Sequence, residues 1–265
     1  MTAEPAARAT LFIDCSQRES VLALAPSTGG ARAPFVRRFD AQAEANANAG
    51  GGERFWLELA DLFREAGVGA EALAAVAVAT GPGGFTGLRV SIASGKAIAY
   101  ARGIPAVGIP SAELFAASDQ ARGGDGPWLV ALASKAGSAW VSLVECMQAA
   151  DAALDFSPEA GLIVTEELFA LRATEVARRG GVLLADAHLD PALAACAARV
   201  GIPVRGLAIE VGAAFGCAHR ASVRVVRTGG AGAASCGSPF SLEPLYAREP
   251  EAVTNWRVRR ADRGA

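Results

Sequence analysis

Ala77-Val-Ala-Thr-Gly-Pro-Gly-Gly-Phe-Thr-Gly-Leu-Arg-Val-Ser-Ile-Ala-Ser-Gly-Lys-Ala-Ile-Ala99 is the stretch whose reading decides the fold. It continues the apolar run 73–79, which is short enough for a strand buried on both faces. Gly81, Gly83, Gly84 and Gly87 then allow backbone angles closed to other residues and let the chain approach a neighbour closely. A helix is expected from about 87 to 102. Thr86 is placed to cap it, and its first N–H groups could hold an anion. A strand, a glycine turn and a helix in that order make the repeating unit of an α/β sheet.

The turn is therefore a candidate phosphate-binding loop, and two patterns test it. G-x-G-x-x-G finds Thr86 where its third glycine belongs. G-x-x-x-x-G-K-[ST], anchored on Gly95-Lys96, finds Val90 for its first glycine and Ala97 for its hydroxyl. The other reading is a strand-to-helix turn that needs glycine for packing. Along the helix, Gly87, Ser91, Ser94 or Gly95, and Ile98 share one stripe, and small side chains there let a neighbour pack closely. That neighbour is either internal or a second chain. With the aromatic helix carrying Phe55 and Trp56, the stripe forms a candidate helix-bundle interface.

Working outward, residues 11–14, 21–24 and 33–39 read as an antiparallel meander, and 41–52, rich in Ala, Asn and Gly, as a flexible loop. Phe55, Leu59, Leu62, Phe63 and Ala66 recur at helical spacing over 53–66, with Gly67 and Gly69 ending the helix. A strand is expected from 106, then a helix capped by Ser111 with Glu113 and Leu114 in its first turn. Residues 128–133, 139–145 and 182–185 read as strands of a second set. Helices are expected at 191–200, opened by Pro191, and at 207–219. Residues 228–238 read as a low-complexity loop, and 257–265 as a basic tail. Strands first, then helix, strand, helix, strand, indicate an α/β fold with mixed sheets, with a soft boundary near residue 110.

Composition narrows the function. The chain has 265 residues, 52% hydrophobic and 20% charged, enough for one large domain or two small ones. A net charge of −2 is too near neutral to steer the whole molecule onto nucleic acid or anionic lipid. Five dispersed cysteines without a C-x-x-C suggest neither a disulfide framework nor a zinc site. The start shows no basic region followed by a long apolar run, and no apolar stretch is long enough to span a membrane, so a cytoplasmic, soluble protein is expected. The histidines, His188 and His219, lack partners at metal-ligand spacing. Asp14, at the end of the first strand, is either a weak candidate for holding Mg²⁺ through water beside a nucleotide or a carboxylate capping a turn. No nucleophile elbow supports a hydrolase.

The stretch 77–99 resembles the signature of the TsaB (YeaZ) family, an apolar strand, Gly-Pro-Gly-Ser-Phe-Thr-Gly-Leu-Arg-Ile-Gly and a small-residue helix with Ala-Lys-Gly. Gly81, Pro82, Gly83, Phe85, Thr86, Gly87, Leu88, Arg89 and Lys96 match it. The opening Leu11-Phe-Ile-Asp-Cys-Ser16, the segments Ile104-Pro-Ala-Val-Gly and Ser111-Ala-Glu-Leu114, and the closing Leu245-Tyr-Ala-Arg248 and Ala252-Val-Thr254 are similar to the family's as well. Two departures stand out. Gly84 replaces the usual serine. Ala133-Ser-Lys-Ala-Gly-Ser-Ala-Trp140 stands for Asp-Ala-Arg-x-Gly-Glu-Val-Tyr, keeping a cation at Lys135 and the turn at Gly137 but neither acid.

The resemblance implies a duplicated fold of the actin, sugar kinase and Hsp70 ATPase (RNase H-like) superfamily, with mixed sheets flanked by helices. Lobe 1–110, completed by a helix at 207–221, would precede a more divergent lobe 111–256. It further implies a non-catalytic scaffold for a TsaD-like transferase. With a TsaE-like ATPase, that complex places threonylcarbamoyl on the adenosine beside the anticodon of certain tRNAs (t6A). tRNA would be met only through the complex, and Mg-ATP only in the assembly. Partner contacts are expected from Phe55, Trp56, Leu59, Gly84, Thr86, Gly87, Arg89, Ser91, Gly95 and Lys96, with a homodimer as the state of the chain alone. The alternatives are a Mg-nucleotide hydrolase or peptidase-like enzyme of the same superfamily, in which Asp14 organises the site, or direct tRNA binding by Arg257, Arg259, Arg260 and Arg263.

Overall fold

In the computed structural model the described residues are 8–26, 33–40, 51–134, 137–148, 154–227 and 238–248. The loop expected at 41–52, all but its last two residues, the cation Lys135, nearly all of the loop 228–238, Ala252-Val-Thr254 and the basic tail lie outside them. The first sheet is built from β1 (Ala9–Asp14), β2 (Glu19–Pro26), β3 (Phe35–Asp40), β4 (Leu73–Gly81) and β5 (Ala106–Pro110) in the order β3-β2-β1-β4-β5. The first three form the antiparallel meander. β4 joins parallel to β1, and β5 parallel to β4. The second sheet has β6 (Trp128–Ala133), β7 (Ala139–Gln148), β8 (Leu154–Pro158), β10 (Val182–Ala185) and β11 (Val204–Gly206) in the order β11-β10-β6-β7-β8, with β9 (Leu162–Val164) also on β7. Read from the meander edge, the two sheets have the same topology. Each is an antiparallel trio whose first strand pairs with the first of two parallel strands.

The helices repeat as well. α1 (Gly51–Ala66) and α2 (Phe85–Arg102) bracket β4, and α3 (Ser111–Ala121) follows β5. α4 (Glu166–Arg178) and α5 (Pro191–Val200) bracket β10, and α6 (Val211–Arg227) follows β11. Alternation along the strands sorts the core into three clusters. Leu11, Ile13, Leu22 and Val78 face α1 and α2. Phe12, Val21 and Ala77, with Trp128 and Val130 of the second sheet, face α3 and α6, which pack on one another between the sheets. Leu129, Ala131 and Leu183 face α4 and α5. The molecule is thus a stack of helices, sheet, helices, sheet and helices. This is the duplicated α/β fold expected from the resemblance.

Boundaries differ from the sequence reading where a cap or turn decides them. α2 begins at Phe85 with Gly84 as its N-cap and no side-chain cap, so Thr86 sits inside the first turn and caps nothing. Likewise Pro110 is the N-cap of α3, and Ser111 is its first helical residue. The last helix starts at Val211 rather than 207. Asp190 does cap α5 as a side chain, accepting from Ala192 N–H at 2.9 Å. α6 packs on β5 and β1 of the first sheet, and Arg38 of β3 donates to the Ile209 carbonyl just before it. Among the described residues no helix is long and apolar enough to cross a membrane.

Candidate functional site

The glycine turn is held by the turn between β1 and β2. Gly84 N–H donates to the Ser16 carbonyl at 2.6 Å. A Cβ on Gly83 would meet the Ser16 carbonyl oxygen at 2.5 Å, and one on Gly87 would stand 1.6 Å from the Cys15 carbonyl oxygen. Cys15 N–H in turn donates to the buried hydroxyl of Ser91, at 2.8 Å. The glycines therefore admit the chain's own backbone. Gly81, with φ +100°, points its vacant side at the Leu245 carbonyl.

Asp14 lies under this junction and is fully buried. One carboxyl oxygen accepts Ser16 N–H at 2.7 Å, an Asx-type turn. The other has no partner among the described residues. Burial raises its pKa, and the hydrogen bonds from Ser16 oppose the rise. A Mg²⁺–nucleotide site of the superfamily's kind needs open, hydrated space beside this carboxylate and beside the turn. Asp14 is fully buried and the Cys15 and Ser16 carbonyls lie against Gly83, Gly84 and Gly87, so neither place offers that open space among the described residues. Among the described residues, no cluster of His, Cys, Asp or Glu could hold a metal ion.

The small-residue stripe belongs to the interior. Ser91 is fully buried, and Gly95 packs on Val78, whose methyl a Cβ would meet at 2.5 Å. Phe55 and Leu59 are buried against the sheet too. Ser91, Gly95, Phe55 and Leu59 are thus corrected from partner contacts to core residues, and Gly87 to a contact with Cys15. The neighbour that needs small residues is the chain's own first sheet. Trp56, Gly84, Thr86 and Arg89 are exposed, and Lys96 is half-buried.

The outer face of α2 carries Phe85, Arg89, Lys96 and Tyr100, spaced by four, seven and four residues. A closing segment, 238–248, runs along it. Phe240 packs edge-on against Tyr100, and Leu242 is buried in the first core. Leu245 N–H donates to the Thr80 carbonyl at 2.7 Å. Tyr246 lies on Phe85 with ring centres 5.1 Å apart. The Arg89 guanidinium sits 4.0 Å from the centre of the Phe85 ring, with its Nε 3.4 Å from the Tyr246 hydroxyl. Arg248 then reaches Ser138 in the β6–β7 turn, donating to its hydroxyl at 2.6 Å. The segment so straps the glycine turn to the second sheet. Leu57, Tyr100, Phe240 and the role of Tyr246 were missed in the sequence. The signal for Tyr100 was there, because it shares a helical face with Arg89 and Lys96.

Beside α2, on the same face of the sheet, α1 shows Trp56 and Leu57 to solvent, 50% and 58% exposed. Its acids are largely held: Arg37 of β3 binds Glu58 at 2.9 Å, Asp61 at 3.0 Å and Glu65 at 2.7 Å, and Arg54 and Arg64 pair with Glu58 and Asp61.

Residues 53–197, more than half of the chain, match the family model described as TsaD, tRNA N6-adenosine threonylcarbamoyltransferase. The chain belongs to the TsaD family. Two solved structures from Pseudomonas aeruginosa carry the same fold as this TsaD-family chain. YeaZ superposes with a TM-score of 0.64 at 16% identity, covering 90% of this chain and 99% of that one. An uncharacterized protein with similarity to peptidase YeaZ gives 0.63 at 16% identity, covering 91% and 100%. The whole-length likeness to YeaZ is one of fold. No curated protein matches the sequence.

Proposed function

We propose that this chain is the non-catalytic partner of a TsaD-type transferase in t6A modification of tRNA, and that it presents α1 and α2 to that partner. One observation carries the reading. The Cys15 carbonyl oxygen and the Ser16 carbonyl fill the glycine turn, so the loop that in a nucleotide enzyme would cradle phosphate is spent on internal packing. The outward face supports it too, because aromatic, apolar and arginine side chains around Trp56, Leu57, Phe85 and Arg89 have the composition of a protein–protein contact. In this reading the first lobe, with α6 returning to it, holds the transferase. A TsaE-like ATPase and tRNA join through the assembly, and any Mg-ATP belongs to the assembly rather than to this chain.

The test is co-purification of the tagged chain with a TsaD-type transferase, beside a calorimetric titration of the chain alone with Mg-ATP. A stable complex and no heat of nucleotide binding are expected. Tight one-to-one nucleotide binding by the isolated chain would overturn the proposal in favour of the enzyme reading.

A further inference from the structure

We infer that the closing segment 238–248 is a latch between the two lobes. It is seated on the first lobe, hooked to the second by Arg248, and holds the lobes together at the end of the molecule away from the chain crossings. The inference goes beyond the proposed scaffold role and stands whether or not that role holds.

The first sheet is shaped to receive the segment, and two glycines of β4 and β5 make the room. A Cβ on Gly81, which has φ +100°, would meet the Leu245 carbonyl oxygen at 2.7 Å. One on Gly108 would stand 3.3 Å from a methyl of Leu242. Leu242 is buried in the first core, and Leu245 N–H donates to the Thr80 carbonyl at 2.7 Å. Farther on, Ala247 packs against the core between the two sheets, so the segment turns inward as it leaves the first lobe. Arg248 then donates to the hydroxyl of buried Ser138, next to the start of β7.

The position of that last bond gives it leverage. The chain crosses between the lobes at 122–127 and again at 207–210. Both crossings are tied to the end of α3. Asp119 accepts Trp128 Nε1–H at 2.9 Å and the Arg205 guanidinium at 2.7 Å. Arg122 donates to the Ala208 carbonyl at 3.2 Å, and Glu210 N–H donates to the Ser118 hydroxyl at 3.0 Å. Trp128 opens β6, whereas Ser138 lies past its other end, beside the Ala133–Ala139 pair. The strand between them spans about 17 Å. The lobes are therefore joined by a hinge around Asp119 and, a strand's length away, by the Arg248–Ser138 bond. The hinge has an ion pair and the chain itself to hold it. The far bond has a neutral acceptor, and among the described residues no carboxylate pairs with Arg248, so it is the weaker joint and the one able to open.

Hydrogen exchange of the full-length chain, read by mass spectrometry, tests the latch in Arg248→Ala and Ser138→Ala beside wild type. Arg248 is exposed, so its variant keeps the fold, which circular dichroism checks. Opening at the latch uncovers the surfaces that meet between the lobes. In both variants, exchange should therefore rise in α3 (111–117) and at the start of β7 (139–143), by at least five-fold more than in α4 and α5 on the outer side of the second sheet. Leu245 should stay as protected as in wild type, because its bond to Thr80 belongs to the first lobe. A rise confined to 246–248 and Ser138, or no rise, would show that the bond governs nothing beyond itself and would overturn the inference. So would an equal rise in α4 and α5, which would make the bond a support of the whole fold, or a rise in only one of the two variants. None of these outcomes depends on transferase binding, so failure here leaves the scaffold reading to its own test.

Discussion

Substituting Gly87 by alanine tests the claim that the glycine turn is shaped by the chain's own backbone. In the interior of a helix this change ordinarily gains about 1 kcal/mol through the higher helix propensity of alanine. Here the new methyl would lie 1.6 Å from the Cys15 carbonyl oxygen, where 3.0 Å is the closest approach real side chains make. Either α2 or the Cys15–Ser16 peptide must shift. Both are tied by the Gly84–Ser16 bond at 2.6 Å and the Cys15–Ser91 bond at 2.8 Å. Losing two such bonds and orphaning a buried N–H costs roughly 3–5 kcal/mol. Set against the propensity gain, the net loss is about 2–4 kcal/mol, or roughly 5–15 °C in a domain of this size. Gly84→Ser is the control. Its Cβ would find the Ser16 carbonyl oxygen at 3.4 Å, ordinary contact, and a serine N-cap changes stability by only a few tenths of a kcal/mol. Thermal and urea unfolding followed by circular dichroism read both variants. A Gly87→Ala protein as stable as wild type would refute the packing account of the turn.

Other outcomes follow from neighbouring groups. Burial lifts the Asp14 carboxyl above its ordinary 3.8, so the folded chain holds this proton more tightly than the unfolded one. Its contribution to stability is therefore present at acid pH and declines as pH climbs from 3.8 towards the folded value. Asp14→Asn, which cannot ionise, should gain on wild type in urea-unfolding free energy between about pH 4 and pH 7, and a pH-independent difference would contradict the assignment. Ser138→Ala should take away the hydroxyl that accepts from Arg248 and cost about 0.5–1.5 kcal/mol in urea-unfolding free energy. A variant as stable as wild type would show that this bond does not hold the closing segment. Ser91→Leu should cost about 2–4 kcal/mol by overpacking and by orphaning Cys15 N–H, so it disturbs folding before it disturbs any partner. A fully stable variant would reopen the stripe as an external surface.

Most of the first lobe was legible because its signals are local. The apolar run ending in glycines marks β4 and the turn, and the i, i+4, i+7 pattern of Phe55, Leu59 and Leu62 marks α1. Pro191 marks the start of α5, which the structure shows capped by Asp190. The capping assignments failed at Thr86 and Ser111 because a hydroxyl near a helix start was taken for the N-cap, while the backbone turns one or two residues earlier at Gly84 and Pro110. β8 and β9 are too short to show a period, and β11 is a three-residue exposed strand, whereas α4 carries the i, i+4, i+7 pattern in Phe169, Ala173 and Val176 and was passed over. The site was harder, because small residues on a helix look alike whether they admit another chain or the helix's own sheet. Only the distances from Gly87 to Cys15 and from Gly95 to Val78 separate the two. The closing segment's place over α2 is a contact across some 150 residues, from Arg89 to Tyr246, which no local pattern encodes.

The scaffold claim is tested most directly by reconstituting t6A formation on tRNA from purified transferase, ATPase and this chain, with the chain omitted or carrying Asp14→Asn. The account predicts product only when the chain is present, and product within two-fold of wild type when Asp14 is replaced. Full activity without the chain, or loss of product with a folded, transferase-bound Asp14→Asn variant, would contradict it.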